Sequence, residues 1–254
     1  MPLVRPFASV TPAARSCDSA RTSFRSHLGE NGLTDQQARL SWRDARIPVS
    51  DQFDDPYFSI HNGLAETAHV FLGGNDLPAR FAPDFHVAEL GFGTGLNMLA
   101  TWRAWEESGQ SGALRFTSFE AYPMAPADMA RALAAFPEIA PWASRFLDHW
   151  QGSGRCDLGT LRLEMIKGDA RRSLPEWTGR ANAWFLDGFS PAKNPELWQE
   201  DLLQQVAKHT AAGGSLATYT AAGFVRRGLE TAGFSVTRVP GFGRKRHMTK
   251  ATLA

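Results

Sequence analysis

The chain has 254 residues, 43% of them hydrophobic and 21% charged, which is enough to bury a sizeable core and excludes wholesale disorder. Its two cysteines, Cys17 and Cys156, form no CxxC pair, the histidines lack zinc-ligand spacing and no apolar run nears bilayer length, so no disulfide framework, metal or membrane is expected and a reducing cytoplasm fits. The net charge of +1 excludes a uniformly basic or acidic surface, but it hides an asymmetry at the end of the chain.

Residues 1–38 show no clear period and are rich in Ser, Ala and Arg, with Asp18 the first acid. Part of that composition suits a transit peptide, and it suits a flexible tail or a misassigned upstream start equally well. We treat 1–38 as a flexible N-terminal tail, 39–84 as a pre-core cap or substrate segment, and 85–254 as the core. Core strands are expected at Phe85–Leu90, Leu114–Phe119, Leu161–Ile166, Ala183–Leu186, Ser215–Tyr219, Phe234–Val239 and His247–Leu253. Between them, helical spacing appears at Leu96–Glu107, Ala127–Phe136, Pro195–His209 and Ala222–Ala232. Strands alternating with helices imply an α/β fold with a parallel sheet and helices on both faces. The last two strands, joined by a short basic connection, add an antiparallel edge.

Residues 221–254 hold seven basic side chains against one acid, Glu230, for +6. That leaves 20 basic against 25 acidic side chains, or −5, over the preceding 220 residues. Two readings stand: a basic face for an anionic partner, with nucleic acid the leading class, and a solvated basic hairpin.

The segment Glu89-Leu90-Gly91-Phe92-Gly93-Thr94-Gly95-Leu96-Asn97 leaves a strand and opens a helix. Glycines there permit a tight turn and close approach to a ligand. A dinucleotide fingerprint needs a third glycine where Leu96 stands, so a nicotinamide cofactor is disfavoured. The G-x-G-x-G pattern after an acid resembles the first motif of class I S-adenosylmethionine-dependent methyltransferases. Two more acids follow strands: Glu120, placed to accept ribose hydroxyls, and Asp169, where this fold commonly meets the adenine amino group. Asp187 ends the next strand, in Trp184-Phe185-Leu186-Asp187-Gly188-Phe189. It is suited to accept a proton from an attacking amine, or merely to cap the following loop. Phe189 is suited to stack on a planar base, or to pack in the core.

Further runs make the resemblance specific. They are Pro48-Val49-Ser50, Phe53-Asp54-Asp55, Tyr57-Phe58-Ser59, Asn62-Gly63-Leu64, Val70-Phe71-Leu72-Gly73-Gly74-Asn75 and Pro191-Ala192-Lys193-Asn194-Pro195. Ala222-Gly223-Phe224-Val225-Arg226-Arg227-Gly228 and Gly241-Phe242-Gly243-Arg244-Lys245-Arg246 complete them. Over residues 38–250 the chain resembles the methyltransferase domain of the MnmC-type tRNA wobble-uridine enzymes, the 5-methylaminomethyl-2-thiouridine methyltransferases. The resemblance implies a Rossmann-like class I fold, with a mostly parallel seven-stranded sheet, an antiparallel edge strand and helices on both faces. It implies methyl transfer from S-adenosylmethionine to the 5-aminomethyl group of a modified wobble uridine. Asp187 takes the catalytic position, and Glu89, Gly91, Gly93, Gly95, Asn97, Glu120 and Asp169 surround the cofactor.

A tRNA partner gives the basic tail a purpose. Arg226, Arg227, Arg244, Lys245 and Arg246, with Lys193, become candidates for the anticodon loop, and Phe189 for the base, beside Tyr57, Phe58 and Phe242. Many such proteins also carry a flavin-dependent oxidoreductase. This chain stops shortly after Gly243 without a second dinucleotide motif, so either a separate flavin oxidoreductase supplies the aminomethyl precursor or the tRNA arrives already as 5-aminomethyl. Two alternatives are a methyltransferase for another amine and a catalytically silent RNA-binding protein.

Overall fold

In the computed structural model, residues 37–59 and 62–254 are described. Most of the expected N-terminal tail, with Cys17, lies outside them. The first elements are three short strands, β1 (Leu40–Arg43), β2 (Ile47–Ser50) and β3 (Asp55–Pro56), paired antiparallel in a small sheet. Helix α1 (Gly63–Thr67) follows, its free amide at Ala65 capped by Asn62 Oδ1 at 2.9 Å. It widens into a π-turn over Ala68–Leu72 and tightens into a 3₁₀ turn at Gly73–Asn75.

The core strands are β4 (His86–Leu90), β5 (Leu114–Glu120), β6 (Gly154–Asp157), β7 (Leu161–Lys167), β8 (Ala181–Leu186), β9 (Thr210–Thr218), β10 (Phe234–Pro240) and β11 (His247–Leu253). They form one eight-stranded sheet in the order β10-β11-β9-β8-β4-β5-β7-β6. The β7-β5-β4-β8-β9 run is parallel, so its C-terminal tips share one edge. β4 is buried at every position, as a central strand covered on both faces must be.

Alternation along the strands feeds two cores. Val87, Phe116, Ala183 and Phe185 join Met98, Trp102 and Trp105 of α2 (Leu96–Glu107), with α3 (Pro126–Leu133) and α4 (Ala140–Leu147) beside them. Ala88, Leu90, Trp184 and Leu186 face the other way. They pack on α5 (Ala170–Glu176), α6 (Glu200–Lys208) and α7 (Gly223–Thr231). Trp102 and Trp184 are fully buried, one in each core. Truncating either to Ala costs about 3–5 kcal/mol.

The seven expected strands all form, and the expected layers are present, but three details differ. The sheet has an eighth strand, β6, antiparallel to β7. Its sequence, Gly-Arg-Cys-Asp, buries only Cys156 and so carries no alternation to read. The closing pair forms the expected antiparallel edge, with β10 outermost: β11 slots between β9 and β10 and runs antiparallel to both. Burial explains the order, because β11 buries Met248, Thr249 and Ala251 while β10 is mostly accessible and suits the rim. The helix expected over Pro195–His209 breaks at Gln199, whose ψ of 149° is extended, leaving a 3₁₀ turn at Pro195–Trp198 ahead of α6. Helices α4 and α5 have no counterpart among the expected elements.

Candidate functional site

Beyond the tips of β4, β5, β7 and β8 the chain assembles its acids. The loop after β4 runs left-handed at Gly91 (φ 91°), Gly93 (φ 53°) and Gly95 (φ 78°), a conformation open to glycine at little cost. A Cβ on Gly91 would sit 2.3 Å from the Asp187 carbonyl oxygen, so that glycine lets the β4 and β8 exits pack together. A Cβ on Gly93 would stand 3.1 Å from the Tyr57 ring, which lays the segment before the core over the glycine loop.

Glu120 binds this loop by its carboxylate. Oε2 accepts the Gly93 N–H at 3.0 Å and Oε1 the Tyr122 N–H at 2.8 Å. Burial pushes its carboxyl up while those amides draw it back down. An ionised carboxylate there is an acceptor only, the chemistry a ribose diol needs. Asp169 caps α5 through the Arg171 N–H at 2.9 Å, and the Arg171 guanidinium grips both of its oxygens, the shorter contact 2.6 Å. That grip holds its carboxyl below the usual range despite partial burial.

Asp187 is half-buried at the β8 tip. Its Oδ2 accepts Asn97 Nδ2 at 2.7 Å, and the same amide nitrogen donates to Glu89 Oε1 at 3.0 Å. Asn97 Oδ1 accepts the Thr67 hydroxyl at 2.7 Å, and Glu89 Oε2 accepts that of Ser118 at 2.7 Å. Burial raises Asp187 to about 7, against the Asn97 bond and Lys245, which lower it, and with Glu66, which raises it further. Lys245 is not a free surface cation: its Nζ lies 2.7 Å from Glu66 Oε1 and 4.0 Å from the Tyr219 ring centroid. The Tyr219 hydroxyl donates to Gly188 O at 2.7 Å, and burial pushes its ionisation up out of the physiological range.

Phe189 stacks on Phe53 with centroids 4.7 Å apart and meets Tyr57 edge-on at 5.1 Å. Its loop is stapled: Ser190 N donates to Asp55 Oδ2 at 2.9 Å, and Trp198 Nε1 to Phe189 O at 2.9 Å. Lys193 is drawn to Asp54, 3.2 Å, and Asp55, 3.8 Å. Arg244 and Arg246 are exposed on the β10–β11 connection. Arg226 and Arg246 approach Arg238 around His247, which is held below its ordinary value by desolvation and then by those three cations. Arg227 stands apart, walling a hollow of about 530 Å³ with Trp198 and the exposed Phe224.

The candidates thus divide. Glu89, Asn97 and Asp187 meet in one hydrogen-bonded chain, and Gly93 and Glu120 in another. Lys245 pairs with Glu66, while Lys193 faces Asp54 and Asp55. Sequence reasoning missed Thr67, Glu66, Ser118 and Tyr219, whose signals are single hydroxyls or acids with no motif around them. Among the described residues no cluster of His, Cys, Asp and Glu is gathered to hold a metal, and no helix is long and apolar enough to cross a membrane.

The left-handed glycine loop and the two-armed acceptor at Glu120 fit an adenosyl group, with Asp187 beyond it at the neighbouring tip. Residues 136–254 match a family model described as S-adenosyl-L-methionine-dependent methyltransferase. The chain is 45% identical over 234 residues to the "tRNA 5-methylaminomethyl-2-thiouridine biosynthesis bifunctional protein MnmC" of Chromobacterium violaceum, covering 87% of this chain and 35% of that one. The Pseudomonas aeruginosa protein of the same name is 46% identical over 229 residues, covering 85% and 35%. This chain therefore spans about a third of the length of those relatives. Among solved structures, MNMC2 from Aquifex aeolicus superposes with a TM-score of 0.70 at 25% identity, covering 87% of this chain and 72% of that one. With the tips and the glycine loop in place, these matches make the chain similar to the S-adenosyl-L-methionine-dependent methyltransferases and, over about a third of their length, to the MnmC-type proteins.

Proposed function

We propose that the chain methylates the 5-aminomethyl group of a modified wobble uridine in tRNA, giving 5-methylaminomethyl(-2-thio)uridine. S-Adenosylmethionine, when bound, supplies an electrophilic methyl carbon on a sulfonium. The Gly91–Gly95 loop and Glu120 would hold its nucleoside and amino-acid parts, and Asp169 would offer the adenine what acceptor capacity Arg171 leaves. The observation that carries the reading is Asp187: one carboxylate at the β8 tip, tied by Oδ2 to Asn97 and raised to about 7.

An alkyl amine is mostly protonated near neutral pH and attacks only through its lone pair. Asp187 Oδ1 accepts a hydrogen bond from the amine, aims the nitrogen and takes its proton. The bound sulfonium would supply the carbon for the new nitrogen–carbon bond and would keep the carbon–sulfur electron pair as a neutral thioether, while Asp187 holds the proton that the amine gives up. Much of the acceleration comes from holding nitrogen and carbon in line. The Phe53–Phe189–Tyr57 cluster gives the splayed uracil a stacking face. Arg226, Arg244 and Arg246, joined by Arg238, receive anticodon-loop phosphates, with Arg227 at the rim. Lys193 orders the acceptor loop through Asp54 and Asp55, and Lys245 tunes the catalytic carboxylate.

A tRNA substrate places the enzyme in the cytoplasm, downstream of a flavin-dependent oxidoreductase that exposes the aminomethyl nitrogen. The test is methyl incorporation from labelled S-adenosylmethionine into tRNA carrying 5-aminomethyluridine, read by nucleoside mass spectrometry. Label at the wobble position is expected. Label in a metabolite or a protein, and never in that nucleoside, defeats the proposal.

A further inference from the structure

The tip of β4 carries an acid that does not face a ligand. Glu89 is 1% exposed and both of its oxygens are taken, by Asn97 and by Ser118. Asn97 is 6% exposed and its amide is fully committed. One hydrogen of Nδ2 goes to Glu89 and the other to Asp187, while Oδ1 receives the Thr67 hydroxyl. Turning that amide over would set its oxygen against two carboxylates, so the orientation follows from its partners. Ser118 thus directs Glu89, Glu89 directs Asn97, and Asn97 chooses which oxygen of Asp187 is bound.

We infer that Glu89 and Asn97 are positioning residues for Asp187 rather than cofactor ligands: they tie down Oδ2 and leave Oδ1 as the single oxygen presented to the acceptor amine. This rests on the proposed role of Asp187 and assigns what prepares it. The relay spans four elements, because Glu89 lies on β4, Ser118 on β5, Thr67 closes α1, and Asn97 sits in the first turn of α2. The other groups facing Asp187 are Lys245 and Glu66, an ion pair, and the Tyr219 hydroxyl, all of which an Asn97 variant leaves in place.

The test is a ¹³C NMR titration of the Asp187 carboxyl in the full chain, which needs no substrate. In the native chain the midpoint is expected near 7. Asn97→Ala removes a hydrogen bond to the charged form and moves the midpoint up by about one to two pH units. Glu89→Gln keeps an acceptor for Asn97 and reverses only the bond with Ser118, whose hydroxyl oxygen then accepts from the new amide, so its midpoint stays near the native one. Should Asn97→Ala fail to fold, Thr67→Val, which frees one end of the amide, is expected to shift the midpoint the same way by less. In turnover, Asn97→Ala lowers kcat and leaves the KM for S-adenosylmethionine unchanged. An unmoved midpoint in the folded variant overturns the inference. So does a loss of cofactor affinity as large as the loss of kcat. If the midpoint moves while tRNA stays unmethylated, the relay stands and the substrate assignment fails.

Discussion

The strand tips hold their acids in two different ways. On the β5–β7 side the partners are local or lie in the glycine loop: Glu120 is bound by amides two and 27 residues away, and Asp169 by Arg171, two residues on. On the β4–β8 side, Asp187 is bound by Asn97, 90 positions earlier in the chain, and feels Lys245 and Glu66 from two further segments. A locally held acid is set by loop chemistry and persists when distant parts of the chain shift. A remotely held acid reports on how several elements pack, and its charge responds to each of them.

Substitutions at the two acids should therefore fail differently. Asp187→Asn is expected to cut turnover by about 10²–10⁴-fold, the usual worth of a positioned proton acceptor, with cofactor affinity nearly intact. Glu120→Ala is expected to weaken S-adenosylhomocysteine binding by about 10–100-fold, from the loss of hydrogen bonds to a charged acceptor, while kcat at saturating cofactor changes little. Calorimetry beside single-turnover kinetics separates the two. Equal losses of affinity in both variants would merge the halves into one site.

The ion pair above Asp187 sharpens the contrast next. Lys245 favours the ionised carboxylate and Glu66 opposes it. In the proposed reaction Asp187 acts as a base, so activity is expected to rise with pH as its proton leaves. Lys245→Ala should move that rising limb to higher pH and Glu66→Gln to lower pH, each by about half a unit to one unit. At neutral pH the two variants then differ from the parent in opposite directions. Parallel shifts would mean that the pair acts on folding rather than on Asp187.

Legibility follows the same division. Gly91, Gly93, Gly95 and Glu120 stand in a short motif whose spacing carries its own reason, and the strand alternation that feeds the two cores was visible in full. Asp187 was visible because it ends an apolar strand. Its partners were not: Thr67 and Glu66 come from a five-residue helix too short for periodicity, and Ser118 is one inward residue of a strand. Lys245 read as part of a basic run, since nothing in Gly-Phe-Gly-Arg-Lys-Arg says which side chain finds an acidic partner. β6 stayed hidden because Cys156 alone is buried in it. Pattern reveals what repeats or what neighbours in the chain make together; an ion pair across 179 positions is made by the fold.

That ion pair bears on the proposed RNA surface. Arg244 and Arg246 are exposed beside Lys245, whose charge is spent on Glu66. Removing Arg244 or Arg246 should lower the log–log salt slope of tRNA binding by about 0.7–0.9 for each phosphate left without its cation. Lys245→Ala should leave the slope nearly unchanged. A slope that falls as much for Lys245 as for its neighbours would return that lysine to the phosphate surface.

The smallest effect expected is on stability, and its sign is opposite to that of an ordinary salt-bridged acid. The folded chain holds the Asp187 proton up to about pH 7, whereas the unfolded chain releases it near the ordinary carboxyl value. Between those values the folded state binds more protons, so stability is greatest below the unfolded value and declines as pH rises through the folded one. Glu89, pushed well above its ordinary value by burial, acts in the same direction. Asp187→Asn has no proton to lose at that position, so its Tm should exceed that of the parent more near pH 8 than near pH 5. Each kcal/mol recovered raises Tm by about 2–4 °C in a chain of this size. Thermal melts at the two pH values measure the difference directly. A Tm offset independent of pH would show that Asp187 ionises as it does in the unfolded chain, and would leave the remote packing around it without a hold on its charge.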